Sequence, residues 1–176
     1  MSHIVLVGMM GVGKTTVGRI VAERLGRPFF DSDELVEART GRTVRQIFHD
    51  EGVPAYRLYE TQALLDSLAA QAPSVIAAAG GVVLSATNRA SLRAADATVV
   101  WLQADPLLLV DRVATAGHRP LLDDDPAGTL QQMFHEREHL YREVADAVVV
   151  VDDRGVSDVV EAVLDAVGVT GSGTGT

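Results

Sequence analysis

The 176-residue sequence contains no cysteine, one tryptophan and one lysine, and it has no apolar run long enough to cross a bilayer. Without cysteine there is neither a disulfide framework nor a thiolate metal site, so the fold is indifferent to redox compartment. Positive charge is also scarce: 24 acidic against 15 basic residues give a net charge of −9. That balance argues against broad binding to nucleic acid or to anionic membranes and leaves small molecules as the expected partners. Disorder as the main state is excluded by an ordinary globular composition, 47% hydrophobic and 22% charged. The length suits one α/β domain, acting as a monomer, and leaves little room for a second. Met1-Ser2-His3-Ile4 leads into an apolar strand with no basic leader, so a cytoplasmic protein is expected.

The hydrophobic pattern predicts five short strands, at about 3–7, 28–30, 74–78, 98–102 and 147–151, alternating with helical stretches. Helices are expected over 14–25, 34–39, 43–50, 54–71 and 156–167. This alternation implies βαβ units and a parallel sheet with helices on both faces. Residues 115–127 hold Gly117, Pro120, Pro126 and Asp123 to Asp125, and read as a long exposed lid loop. Residues 1–167 form the predicted domain, and the Gly/Ser/Thr-rich stretch 168–176 is expected to be a disordered tail.

The lone lysine has a definite setting. Gly8-Met9-Met10-Gly11-Val12-Gly13-Lys14-Thr15 matches G-x-x-x-x-G-K-[ST] in full, after a strand and at the start of a helix. The glycines let backbone N–H groups turn inward around an anion, and the helix start adds its own unsatisfied N–H groups. Lys14 can reach the β- and γ-phosphates, and the Thr15 hydroxyl can ligate Mg²⁺. No N-K-x-D guanine-reading motif is present, which points to ATP. Asp31-Ser32-Asp33 then places two carboxylates at a strand end, where open α/β sheets bind ligands. One can hold Mg²⁺ and the other polarise an acceptor hydroxyl; the competing reading makes Asp33 the N-cap of the next helix.

With these motifs, and with Gly41, Ile47-Phe48, Gly52, Tyr56-Arg57, Glu60, Gly80-Gly81, Arg119-Pro120-Leu121-Leu122, Arg137 and Leu140-Tyr141, the chain resembles the shikimate kinases. The resemblance implies a P-loop fold with a five-stranded sheet of order 2-3-1-4-5. It also implies transfer of the ATP γ-phosphate to the 3-hydroxyl of shikimate. Nucleotide contacts would come from Gly11, Val12, Gly13, Lys14, Thr15 and Thr16, from Arg112 and Arg154 beside the adenine, and from Arg119 in the lid. Lys14, Asp33 and Arg119 would be catalytic, and Thr15 and Asp31 would belong to the Mg²⁺ shell. The acid would be held by Asp33, Arg57, Glu60, Gly80, Gly81 and Arg137, with Glu60 orienting Arg57. A guanidinium suits a carboxylate because it offers two parallel N–H groups.

The chain departs from the family's usual pattern in two places. Ala79 stands before Gly80-Gly81 where a third glycine is usual. Gly52-Val53-Pro54-Ala55-Tyr56-Arg57 replaces Gly-Glu-x-x-Phe-Arg. Both departures bear on the acceptor and leave open a paralogue acting on another small polyol or sugar acid. Two other classes compete. His135-Glu136-Arg137-Glu138-His139 matches the H-E-x-x-H motif of zinc peptidases, although the segment is charged nearly throughout. A regulatory nucleotide-binding module that has lost transfer is disfavoured by the presence of Asp31, Asp33 and Arg119 together.

Overall fold

The apolar run His3–Val7 forms strand β1, with every residue buried, because both of its faces are covered. A computed structural model of the protein describes residues 2–115 and 125–169. β1 pairs in parallel with β3 (Val75–Ala77) on one side and β4 (Ala97–Gln103) on the other. β2 (Phe29–Asp31) lies beyond β3 and β5 (Ala147–Val150) beyond β4, giving the order β2-β3-β1-β4-β5. The expected five-stranded parallel sheet of order 2-3-1-4-5 is therefore present.

The step from β1 to β2 runs one way along the sheet, and the steps β3 to β4 and β4 to β5 run the other way. Right-handed crossovers then place helices on both faces. Helix α1 (Lys14–Leu25) packs with the carboxy-terminal α8 (Val156–Ala166). α5 (Ala86–Ala94) packs with α7 (Pro126–Val144), which also contacts α6 (Pro106–Thr115). The main core joins strands and helices around Leu6, Val100, Trp101, Leu109 and Tyr141. α2 (Ser32–Thr40), α3 (Val44–Asp50) and α4 (Gly52–Leu68) close around a second, smaller core of Val36, Ile47, Tyr56 and Ala63. Because the sheet is all parallel, every strand's carboxyl end opens on one edge, and the loops carrying the candidate site leave from there.

Several boundaries differ from expectation for visible reasons. β2 ends on Asp31 rather than Phe30, because Asp31 both completes the pairing to Ala77 and caps α2. α4 begins at Gly52, two residues before Pro54, which is accommodated in the first turn. The predicted lid loop loses both ends to helix, since α6 runs to Thr115 and α7 begins at Pro126. Its centre lies outside the described residues. Gly168 and Val169, expected in the tail, instead donate to the Asp165 and Leu164 carbonyls in a Schellman closure of α8, and residues 170–176 lie outside the described residues. Val169 also packs on the main core. Among the described residues, no helix is long and apolar enough to cross a membrane.

Candidate active site

The chain leaves β1 at Gly8 and reaches α1 at Lys14 through a tight loop. Gly8 has φ +144°, and a Cβ there would lie 2.4 Å from the Leu102 carbonyl oxygen of β4, so only glycine fits. Val12 is buried beneath the loop, which leaves its backbone as the part that can face a ligand. The start of α1 has no side-chain cap, so its N–H groups remain available to an anion. Lys14 folds over the loop, and its Nζ donates to the Gly8 and Met9 carbonyls at 2.7 and 2.9 Å.

Next to it, the Thr15 hydroxyl donates to Asp31 Oδ2 at 2.6 Å. Asp31 Oδ1 accepts from the Asp33 and Glu34 N–H groups, which makes Asp31 the N-cap of α2. The competing reading of Asp33 as that cap is thereby corrected. Asp33 stands inside the first turn, and its Oδ1 accepts from the Tyr56 phenol at 2.5 Å. A cavity of about 260 Å³ opens above the loop. It is lined by Gly11, Gly13, Lys14, Thr15, Thr16, Asp31, Asp33, Ala77 to Gly80 and Arg112, together with Met10.

Two of the residues expected to hold the acid, Arg57 and Arg137, assemble around Gly80-Gly81. Arg57 Nη1 donates to Glu60 Oε2 at 2.5 Å, with Glu60 only 1% exposed. Burial pushes the Glu60 carboxyl above its ordinary range, and the Arg57 guanidinium opposes that rise. The Arg57 guanidinium also lies against Gly81, where any side chain would collide with it. Arg137, from α7, is buried, and its Nη1 points at the Gly80 carbonyl 3.4 Å away. The same carbonyl accepts from the Tyr141 hydroxyl at 2.5 Å, and burial pushes that phenol up to about 12. Arg137 Nε is buried without a hydrogen-bond partner among the described residues.

The two departures noted in the sequence fall differently. Ala79 lines the cavity but needs no positive φ, so its methyl is accommodated. Val53 sits exposed on the first turn of α4 and does not line the cavity. Phe48 and Trp101 are packing residues, Phe48 tilted against Tyr56 and Trp101 stacked on Tyr141.

Not every expected residue is brought in. Arg112 lines the cavity, whereas Arg154 stays exposed on the turn after β5 and does not. Arg119 lies outside the described residues. His135 and His139 are both exposed while Arg137 between them is buried, so α7 turns the pair outward and the arginine inward. Glu136 accepts from Gln132 on that outer face. Among the described residues no three His, Cys, Asp or Glu side chains gather as a metal site. Tyr56 and Tyr141 are partners whose contacts sequence reading missed; the only signal was their place beside Arg57 and at the end of the Arg137 stretch.

The family model described as shikimate kinase matches residues 10–168. A shikimate kinase of Symbiobacterium thermophilum is 45% identical over 166 residues, covering 93% of this chain and 94% of the relative. One from Streptomyces coelicolor is 44% identical over 164 residues, again covering 93% and 94%. Among solved structures, the shikimate kinase of Acinetobacter baumannii in complex with shikimate superposes with a TM-score of 0.89. It is 38% identical and covers 95% of this chain and 93% of that one. By sequence and by fold, the chain belongs to the shikimate kinase family.

Proposed function

We propose that the protein transfers the γ-phosphoryl group of ATP to the 3-hydroxyl of shikimate, as a cytoplasmic monomer acting on small molecules. One observation carries this reading. Lys14 and Thr15 lie after β1 and Asp31 ends β2, Arg57 and Arg137 gather at Gly80-Gly81 after the intervening β3, and Asp33 is tied to Asp31 on one side and to Tyr56, the neighbour of Arg57, on the other. An anion binder and a carboxylate binder thus flank a carboxylate able to accept a hydroxyl proton.

On this reading Lys14 exchanges its two carbonyl partners for phosphate oxygens, a short swing for a flexible ammonium. Asp33 accepts the hydrogen bond of the attacking hydroxyl and takes its proton as the bond to phosphorus forms. Arg57 and Arg137 hold the substrate carboxylate, so the reacting oxygen is placed by an anchor at the far end of the ring. Arg119 closes from the lid onto the phosphates and stabilises charge there. Arg112, which lines the cavity, flanks the adenine.

Thr15 and Asp31 fit a magnesium ion: a hydroxyl and a carboxylate already in contact are the hard oxygen donors that this cation selects. When bound, it neutralises phosphate charge. The test is ADP release from ATP and Mg²⁺ with shikimate, quinate or gluconate as acceptor. Release strongly favouring shikimate is expected. Release with gluconate or quinate but not shikimate would move the protein to a paralogue with another acceptor.

A further inference from the structure

Tyr56 immediately precedes the arginine assigned to the acid, and its phenol donates to Oδ1 of Asp33 at 2.5 Å. Its ring is buried and lies against Phe48, with centroids 4.6 Å apart. Burial, and then the neighbouring Asp33 carboxylate, raise the phenol far above its ordinary range. The hydroxyl therefore stays protonated and can serve only as a donor toward Asp33, not as a base or a proton carrier.

Such a contact could simply satisfy a buried phenol. Two features say that it does more. Asp33 is held from two directions: its N–H by Asp31 Oδ1 at 2.9 Å, and its carboxylate by Tyr56. In addition, Tyr56 and Arg57 are consecutive on one turn of α4, with the Arg57 guanidinium carbon 5.6 Å from the Tyr56 ring centre.

We propose that Tyr56 is a positioning residue for phosphoryl transfer. It fixes the rotation of the Asp33 carboxylate so that it faces the acceptor hydroxyl. Because Arg57 follows on the same turn, α4 sets the span between the point where the acid is gripped and the point where its hydroxyl is activated. Alignment of the reacting oxygen then depends on one rigid helical turn rather than on two independent loops.

This inference rests on the kinase reading above, and the experiment separates the two. Steady-state kinetics are measured on the wild-type protein and on Tyr56→Phe, which keeps the buried ring and its contact with Phe48. Tyr56→Phe is expected to lower kcat roughly 10- to 100-fold, the order set by losing a hydrogen bond to a charged group. KM for shikimate and for ATP should stay within about twofold, since the variant keeps the ring beside Arg57 and leaves both guanidinium groups that grip the carboxylate in place. Unchanged kcat would overturn the proposal, and so would a fall in kcat matched by an equal rise in the shikimate KM. If the wild-type protein gives no shikimate-dependent ADP release, the kinase reading fails and takes the positioning role with it. Wild-type turnover with an unaltered Tyr56→Phe variant rejects the positioning role alone.

Discussion

The Arg57 guanidinium fills the space that a side chain at Gly81 would need: a Cβ built there would stand 1.9 Å from Nη1 and 2.3 Å from Cζ. Gly81 has no positive φ, so its lack of a side chain serves space rather than backbone shape. The clash in Gly81→Ala would be with the Arg57 guanidinium, whose displacement weakens its ion pair with the buried Glu60. We predict that Gly81→Ala melts several degrees below the wild-type temperature. Its KM for shikimate should rise about tenfold or more, as expected when a charge-assisted contact to the carboxylate is lost, with the ATP KM nearly unchanged. Kinetics with each substrate varied in turn would check this.

Glu60 gives a pH signature. Its carboxyl is pushed above 4.5 chiefly by burial, with Arg57 opposing. A carboxyl with a raised folded pKa binds its proton more tightly in the folded state. Stability therefore falls as pH rises from about 4.5 through the folded pKa, and levels off above it. In Glu60→Gln this segment of the pH–stability curve should flatten, as urea unfolding at successive pH values would reveal. Weaker acid binding should accompany it, because Arg57 loses its charged anchor.

Lys14 stands where a compact charge must fit within reach of two carbonyls. Lys14→Ala should reduce kcat by about a thousandfold or more, the scale of removing one charge-stabilising group from a transition state. Lys14→Arg should not restore it, because the planar guanidinium is larger and differently directed. Near-normal turnover in either variant, measured by ADP release, would refute the assignment.

His135 and His139 lie on the exposed face of α7. The double change to alanine should leave kcat, KM and bound metal unaltered and shift stability by no more than about 0.5 kcal/mol, as for ordinary surface positions. Metal analysis of the purified wild-type and variant proteins, alongside the kinetics, checks this. Stoichiometric zinc lost on substitution would contradict it.

What could be read from sequence and what could not divide along a physical line. The β1–loop–α1 unit was legible because its requirements are local: a strand buried on both faces, glycines where the backbone must turn, and one lysine at the helix start. The parallel sheet was legible because five apolar runs alternate with helical periods. The division of labour between Asp31 and Asp33 was not, since both readings of the D-x-D pair are locally sound. Only the structure puts Asp31 on the α2 N–H groups and Tyr56 on Asp33. Likewise Tyr56 and Tyr141 find partners 23 and 61 residues away, a relationship that no period or spacing encodes. The outward turn of the two histidines on α7 became legible only once Arg137 was seen buried beneath them.

The most direct test is the position of the transferred phosphoryl group. The protein is incubated with ATP, Mg²⁺ and shikimate, and the product is read by phosphorus–proton correlation. The account predicts one phosphomonoester, coupled to the proton on carbon 3 and formed only when both substrates are present. Inorganic phosphate alone, or a monoester on another hydroxyl, would contradict it.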